Sequence, residues 1–181
     1  MEYRILEDEL SLSEEEAKYL YDSVIKHKPD VLLEIGTHRG VSTTYLAAAI
    51  KENGKGHLWT TDPIDYGQAQ TFDHRLKEFV TFEYKMGKDI DIGEKIDFAF
   101  VDGFHTKDDV LPEIKNLLPK LNNGAVVVFH DAEDEPENNR NGVRAALKAC
   151  GILDKCTYIK SKNSTLTYTH ETHNLRRRQT N

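Results

Sequence analysis

The stretch Val31-Leu32-Leu33-Glu34-Ile35-Gly36-Thr37-His38-Arg39-Gly40 decides the architecture. Four apolar residues in five, broken only by one acid, form a short buried strand. A glycine-bearing turn follows at once. Val41 to Lys51 then continues as a helix with Tyr45, Ala48 and Ala49 along one side. Gly36 permits a tight backbone turn, and Gly40 a close approach where the helix begins. Amides left exposed at such a turn welcome anionic or electron-rich ligand groups.

Outward from this unit the same alternation recurs. Residues 13–28 carry Ala17, Leu20, Tyr21, Val24 and Ile25 at helical spacing. Ser13 with Glu16 forms a capping box, and Pro29 stops the helix. Residues 57–62 read as a second strand, 68–79 as a helix with Phe72, Leu76 and Phe79 inward, and 80–84 as a third strand. Ile96 to Val101 is nearly continuous in apolar residues, as in a parallel strand covered on both faces. Residues 110–121 are helical, with Asp108 or Asp109 as N-cap so that Pro112 falls in the first turn. Residues 124–129 are a β-branched fifth strand, and 139–150 a helix closed by Gly151. Residues 152–160 and 164–169 suggest a terminal hairpin. Strands alternating with helices demand an α/β fold with a mostly parallel sheet coated on both sides. Residues 1–170 read as one domain. The tail 171–181, with Arg176-Arg177-Arg178, has no apolar periodicity.

Composition narrows the class. A chain of 181 residues and net charge −7 argues against a surface built for nucleic acid. No run reaches the roughly 18 apolar residues of a membrane span, and Met1-Glu2-Tyr3-Arg4 does not open a signal peptide. Only two cysteines occur, Cys150 and Cys156, without zinc-binding spacing. A reducing, cytoplasmic setting is the expectation.

Ligands of such sheets lie beyond the carboxyl ends of the strands. At the first tip, Gly36-x-x-x-Gly40 has His38 where a dinucleotide fingerprint places its middle glycine. A pyrophosphate would meet that side chain, which favours a smaller nucleoside cofactor over NAD. Asp62 ends the second strand, where a carboxylate can accept both hydroxyls of a ribose. Glu34 needs donors, either the turn amides or a cofactor ammonium. After the third strand, Met86, Gly87, Asp89 and Ile90 stand where the base would lie, with Asp89 able to read an amino group. A plain surface turn is the competing reading.

The fourth and fifth strands end in Asp102-Gly103-Phe104-His105 and His130-Asp131. Adjacent strands stand about 4.8 Å apart, so Asp102, His130 and Asp131 could meet at one divalent ion. Carboxylates suit magnesium or manganese, and an imidazole shifts preference toward manganese and other borderline metals. The alternative leaves Asp102 and Asp131 as caps and His130 as a packed imidazole. His105 lies at the mouth and is the natural proton acceptor near neutrality, with loop fixation as its competing role. Glu133, Asp134, Glu135 and Glu137 follow as an acidic loop, and Tyr66 could stack on a ring of the acceptor.

With these strings the chain resembles the class I S-adenosylmethionine-dependent methyltransferases. Among them it is similar to the small-molecule O-methyltransferases of the macrocin O-methyltransferase-like and cephalosporin-hydroxylase-like group. The likeness implies a Rossmann-like three-layer sandwich whose seven-stranded sheet has an antiparallel C-terminal strand. It implies S-adenosylmethionine held by Glu34, Gly36, Thr37 and Gly40 on the methionyl side and by Asp62 at the ribose. Gly87, Asp89 and Asp102 complete the cofactor set. It further implies a cation on Asp102 and Asp131, with His105 as the base. Metal-dependent relatives carry an acid where this chain has His130. A small hydroxylated acceptor is expected, and a homo-oligomer stays open. The rival classes are a metal-dependent hydrolase and an inactive nucleoside-binding domain.

Overall fold

The computed structural model describes residues 12–132, 142–159, 161 and 164–171. Strand β1 (Val31–Ile35) lies inside a seven-stranded sheet, parallel to β2 (His57–Thr61) on one side and β4 (Ile96–Val101) on the other. Beyond β2 lies β3 (Val80–Glu83), and beyond β4 lies β5 (Leu121–Phe129), both parallel. A hairpin of β6 (Thr157–Ile159) and β7 (Thr165–Thr169) closes the β5 side, with β7 antiparallel to β5. The order is therefore β3-β2-β1-β4-β5-β7-β6. The chain moves outward from β1 to β3 and then restarts on the other side at β4. The reversal opens a crevice between the tips of β1 and β4.

Alternation along the central strands divides the core. Leu32, Phe98, Phe100 and Val128 face one layer, with Leu20 and Val24 of α1 (Glu14–His27) and Leu46 and Ile50 of α2 (Val41–Asn53). Leu33, Ile35, Ala99 and Val101 face the other, with Ile114 and Leu117 of α4 (Lys107–Leu117) and Val143 and Leu147 of α5 (Gly142–Ala149). Successive strand residues point to opposite faces, so both faces of β1 and β4 must be apolar. The three layers inferred from the sequence are present.

The Ser13 capping box forms as read, with Glu16 N donating to Ser13 Oγ at 3.3 Å and Ser13 N to Glu16 Oε2 at 2.9 Å. Several boundaries differ from expectation. The helix expected over 68–79 breaks into α3 (Gln68–Thr71) and a 3₁₀ turn at Lys77–Phe79. Asp73 interrupts it, because its Oδ1 accepts from the Arg75 amide at 3.0 Å and so offers the backbone a turn in place of the helix. The N-cap of α4 is Thr106 rather than Asp108 or Asp109, which puts Pro112 inside the helix. The carbonyl that loses its partner belongs to exposed Asp108, where water can serve. Strand β5 starts at Leu121, and its register against β4 shifts between Ile96 and Phe98, where Gly124 adopts φ 83°. Leu153–Lys155, expected as strand, is a 3₁₀ turn after the left-handed cap at Gly151. Residues 139–141 of the expected last helix, the acidic loop and the arginine tail lie outside the described residues. Among the described residues no helix is long and apolar enough to cross a membrane.

Candidate active site

The first wall comes from the β1 turn. Gly36 has φ 100°, and a Cβ there would stand 2.0 Å from the backbone oxygen of Asp102. Only glycine lets the β1 turn cross so close to the end of β4. The Asp102 amide donates to the Ile35 carbonyl at 2.8 Å, which ties the two tips together. Gly40, with φ 82°, caps α2.

Glu34 is fully buried beneath this turn. It accepts hydrogen bonds from Ser42 Oγ at 2.5 Å, Thr43 Oγ1 at 2.6 Å and Thr60 Oγ1 at 2.5 Å. Its donors are thus hydroxyls of α2 and β2 rather than the turn amides. Burial raises its pKa to about 7, with Asp102 adding to the rise and the three hydroxyls opposing it. Glu34 stands behind the cavity wall, to which Ser42 contributes. Thr37 is also buried, its Oγ1 2.6 Å from Thr60 Oγ1.

Asp62 stands at the β2 tip. Its Oδ2 accepts from the His38 amide and its Oδ1 from the Ile64 amide, both at 2.9 Å. Each carboxylate oxygen has further acceptor capacity. The side chain is therefore fixed yet still able to take ligand hydroxyls. Asp62, Gly36, Thr37, Gly87 and Asp102 all line one cavity of about 430 Å³. Asp89 does not. It is exposed on the 3₁₀ turn Gly87–Asp89.

The other end of the cavity holds Asp102, His105, His130 and Asp131. His105 Nδ1 lies 3.3 Å from Asp131 Oδ2. His130 is only 4 % exposed, with Nδ1 3.0 Å from Asp102 Oδ1 and 3.7 Å from Asp131 Oδ2. Its Nε2 is 3.4 Å from Glu16 Oε1 of α1. Burial opposes the charge on this ring, but Asp102, Asp131 and Glu16 outweigh it and raise the pKa to about 12. The ring is paired with Asp102, Asp131 and Glu16, and it is not in the group whose ligand atoms converge. Ligand atoms of Asp102, His105 and Asp131 lie within 4.8 Å of one another, a set of two carboxylates and one imidazole able to hold a divalent ion.

Two further acids belong to this neighbourhood, Glu113 and Glu16. Glu113 of α4 is 2 % exposed and lines the cavity. Its position among Val110, Ile114 and Leu117 on the apolar stripe was the available signal. Glu16 was legible only as a cap. At the cavity mouth Ile64, Tyr66 and Phe104 are exposed large side chains, and Tyr66 meets His38 edge-on at 4.8 Å.

A family model described as "Methyltransferase domain" matches residues 33–132. No curated protein sequence matches the chain. Among solved structures, the O-methyltransferase from Bacillus cereus in complex with SAH superposes with a TM-score of 0.70 at 16 % identity, covering 91 % of this chain and 84 % of that one. The O-methyltransferase TomG from Streptomyces achromogenes, involved in tomaymycin synthesis and solved with SAM, gives 0.66 at 21 % identity over 91 % of each chain. The N-methyltransferase NodS from Bradyrhizobium japonicum gives 0.65 at 18 % identity, covering 87 % of this chain and 96 % of that one. The strand-tip acids and glycines described above fall within the matched region from 33 to 132. The chain belongs to the methyltransferase-domain family and has the fold of the class I S-adenosylmethionine-dependent O-methyltransferases.

Proposed function

We propose that the cavity binds S-adenosylmethionine and that the protein methylates a hydroxyl of a small acceptor, such as a sugar or a catechol-like diol, with a divalent cation on Asp102 and Asp131. The observation that carries this reading is one continuous cavity joining Asp62 to the Asp102, His105 and Asp131 cluster. From β2 to β5 the tips span three strand spacings, about 14 Å. That span accommodates a nucleoside at one end and a reacting oxygen at the other.

The residues fit both groups. Asp62 retains acceptor capacity for a ribose diol. Gly36 and Gly87 keep their portions of the wall free of side chains. The carboxylates of Asp102 and Asp131 suit magnesium or manganese, with His105 beside them as the base. The cofactor supplies an activated methyl on a sulfonium, and the cation lowers the pKa of a hydroxyl bound to it. The protein's own part is alignment and proton transfer. His105 Nδ1 faces Asp131 Oδ2 at 3.3 Å, so the carboxylate orients the ring and its Nε2 would take the acceptor hydroxyl's proton. His130 holds Asp102 through Nδ1 at 3.0 Å and lies at ion-pair distance, 3.7 Å, from Asp131. Ile64, Tyr66 and Phe104 offer an apolar and aromatic rim for the acceptor's ring. The NodS likeness shows that the fold serves N-methylation as well, so the acceptor atom is set by the site and not by the sheet.

Methyl transfer from labelled S-adenosylmethionine to a panel of dihydroxy acceptors, with manganese present, tests the reading. His105→Ala should lower kcat by about 10² or more while S-adenosylhomocysteine affinity changes by less than about threefold. Equal losses in both would make His105 a structural residue, and hydrolysis without cofactor affinity would favour the hydrolase.

A further inference from the structure

The buried face of α1 carries Ala17, Leu20 and Val24 and, in its first turn, the acid Glu16. The Glu16 side chain is 2 % exposed, and that of His130 at the β5 tip is 5 % exposed. An acid so far from water needs partners. Glu16 has them on two sides. Its Oε2 accepts from the Ser13 amide at 2.9 Å and from Ser13 Oγ at 2.7 Å. Its Oε1 lies 3.4 Å from His130 Nε2.

Helix capping accounts for the first side but not for the second. A capping box needs one acceptor at this position, and glutamine serves it as well as glutamate. The other oxygen of Glu16 faces the ring whose Nδ1 lies 3.0 Å from Asp102 Oδ1. Phe100 meets the same ring edge-on, with centroids 6.1 Å apart. The imidazole is therefore held at both nitrogens and packed from the side. A line of contacts runs from the α1 cap through Glu16 and His130 to Asp102 at the β4 tip. Asp102 and His130 line the cavity and Glu16 does not, so the ring is the route by which Glu16 can act on the site.

We infer that Glu16 is a positioning residue for the strand-tip site: its carboxylate fixes the His130 ring, and the ring aims Asp102. The inference rests on the reading above that Asp102 serves the cation. Removing an outer partner that orients a metal-binding side chain commonly costs about 10–100-fold in metal affinity. By this route α1 belongs to the site as well as to the core.

The test compares variants of the full chain. Glu16→Gln keeps the capping acceptor and removes the charge beside His130 Nε2. Ser13→Ala removes the cap hydroxyl and leaves Glu16 facing the ring. Manganese affinity is read from the paramagnetic resonance of the free ion, with S-adenosylhomocysteine present. Glu16→Gln should weaken it by about tenfold or more and change S-adenosylhomocysteine affinity by less than about twofold. Ser13→Ala should melt at a lower temperature with native manganese affinity. Glu16→Gln added to His130→Gln should cost no more than His130→Gln alone, because the two act in series. In the ligand-free chain, the carboxyl carbon resonance of Asp102 should move in Glu16→Gln and stay in place in Ser13→Ala. An unmoved Asp102 resonance or native manganese affinity in Glu16→Gln overturns the inference, as do fully additive losses in the double variant. A native chain that binds no manganese overturns the cation reading, and the Asp102 resonance then decides the positioning role. Should Glu16→Gln fail to fold, Glu16→Asp, which draws the charge back by one methylene, takes its place with the same expected outcomes.

Discussion

Glu34 illustrates what one buried acid does to the whole stability curve. Its pKa in the folded chain is about 7, above the ordinary value of 4.5. Folding thus takes up a proton between those two pH values. The stability contributed by this group is complete below pH 4.5 and is lost as pH rises through 7. Glu34→Gln removes that proton linkage. Thermal melting from pH 4.5 to 8 should show the variant gaining on the native protein as pH rises; a constant difference across the range would contradict the assignment. The role of Glu34 as a polar residue at a strand tip was legible from sequence, since an acid in an apolar run needs donors. Which donors it finds was not, because Ser42, Thr43 and Thr60 reach it only once α2 and β2 pack. Glu113 was missed for a related reason. A lone acid on a helical stripe looks like a solvated position until the neighbouring glycines of two other loops close over it.

Among the elements, those with strong periodicity emerged where the sequence placed them, and those governed by local polar competition did not. The β1–turn–α2 unit follows directly from its apolar run and glycines, whereas the 68–79 helix gives way to the Asp73 turn. The start of α5 shows how one element positions another's loop, here the one that carries His105. A Cβ on Gly142 would stand 2.0 Å from the His105 carbonyl oxygen and 2.4 Å from the Lys107 amide. Alanine in a helix is ordinarily better than glycine by about 1 kcal/mol. Here the backbone overlap reverses the sign, and Gly142→Ala should lose about 1–3 kcal/mol of stability. It should also slow methyl transfer more than it weakens S-adenosylhomocysteine binding, since His105 moves while Asp62 does not. Denaturant unfolding and steady-state kinetics check both parts, and a variant as stable as the native chain would refute the packing argument.

For the molecule as a whole, the decisive feature is the reversal of strand order between β1 and β4. It brings the polar ends of β1, β2, β4 and β5 to one edge of the sheet, so residues far apart in sequence share a single cavity. The α/β class and the strand-tip location of the site could be read in advance, because alternating strands and helices leave few topologies. The closure of the site by α4 and the bracing of its aspartates by His130 and Glu16 could not, because both depend on layers meeting across the sheet. The account as a whole depends on the cavity accepting an adenosyl amino acid. Calorimetric titration of the native chain and of Asp62→Ala with S-adenosylhomocysteine tests this most directly. The account predicts one site per chain in the native protein and affinity weakened about tenfold or more in the variant. No heat of binding in the native protein at saturating ligand, or equal affinity in both, would contradict it.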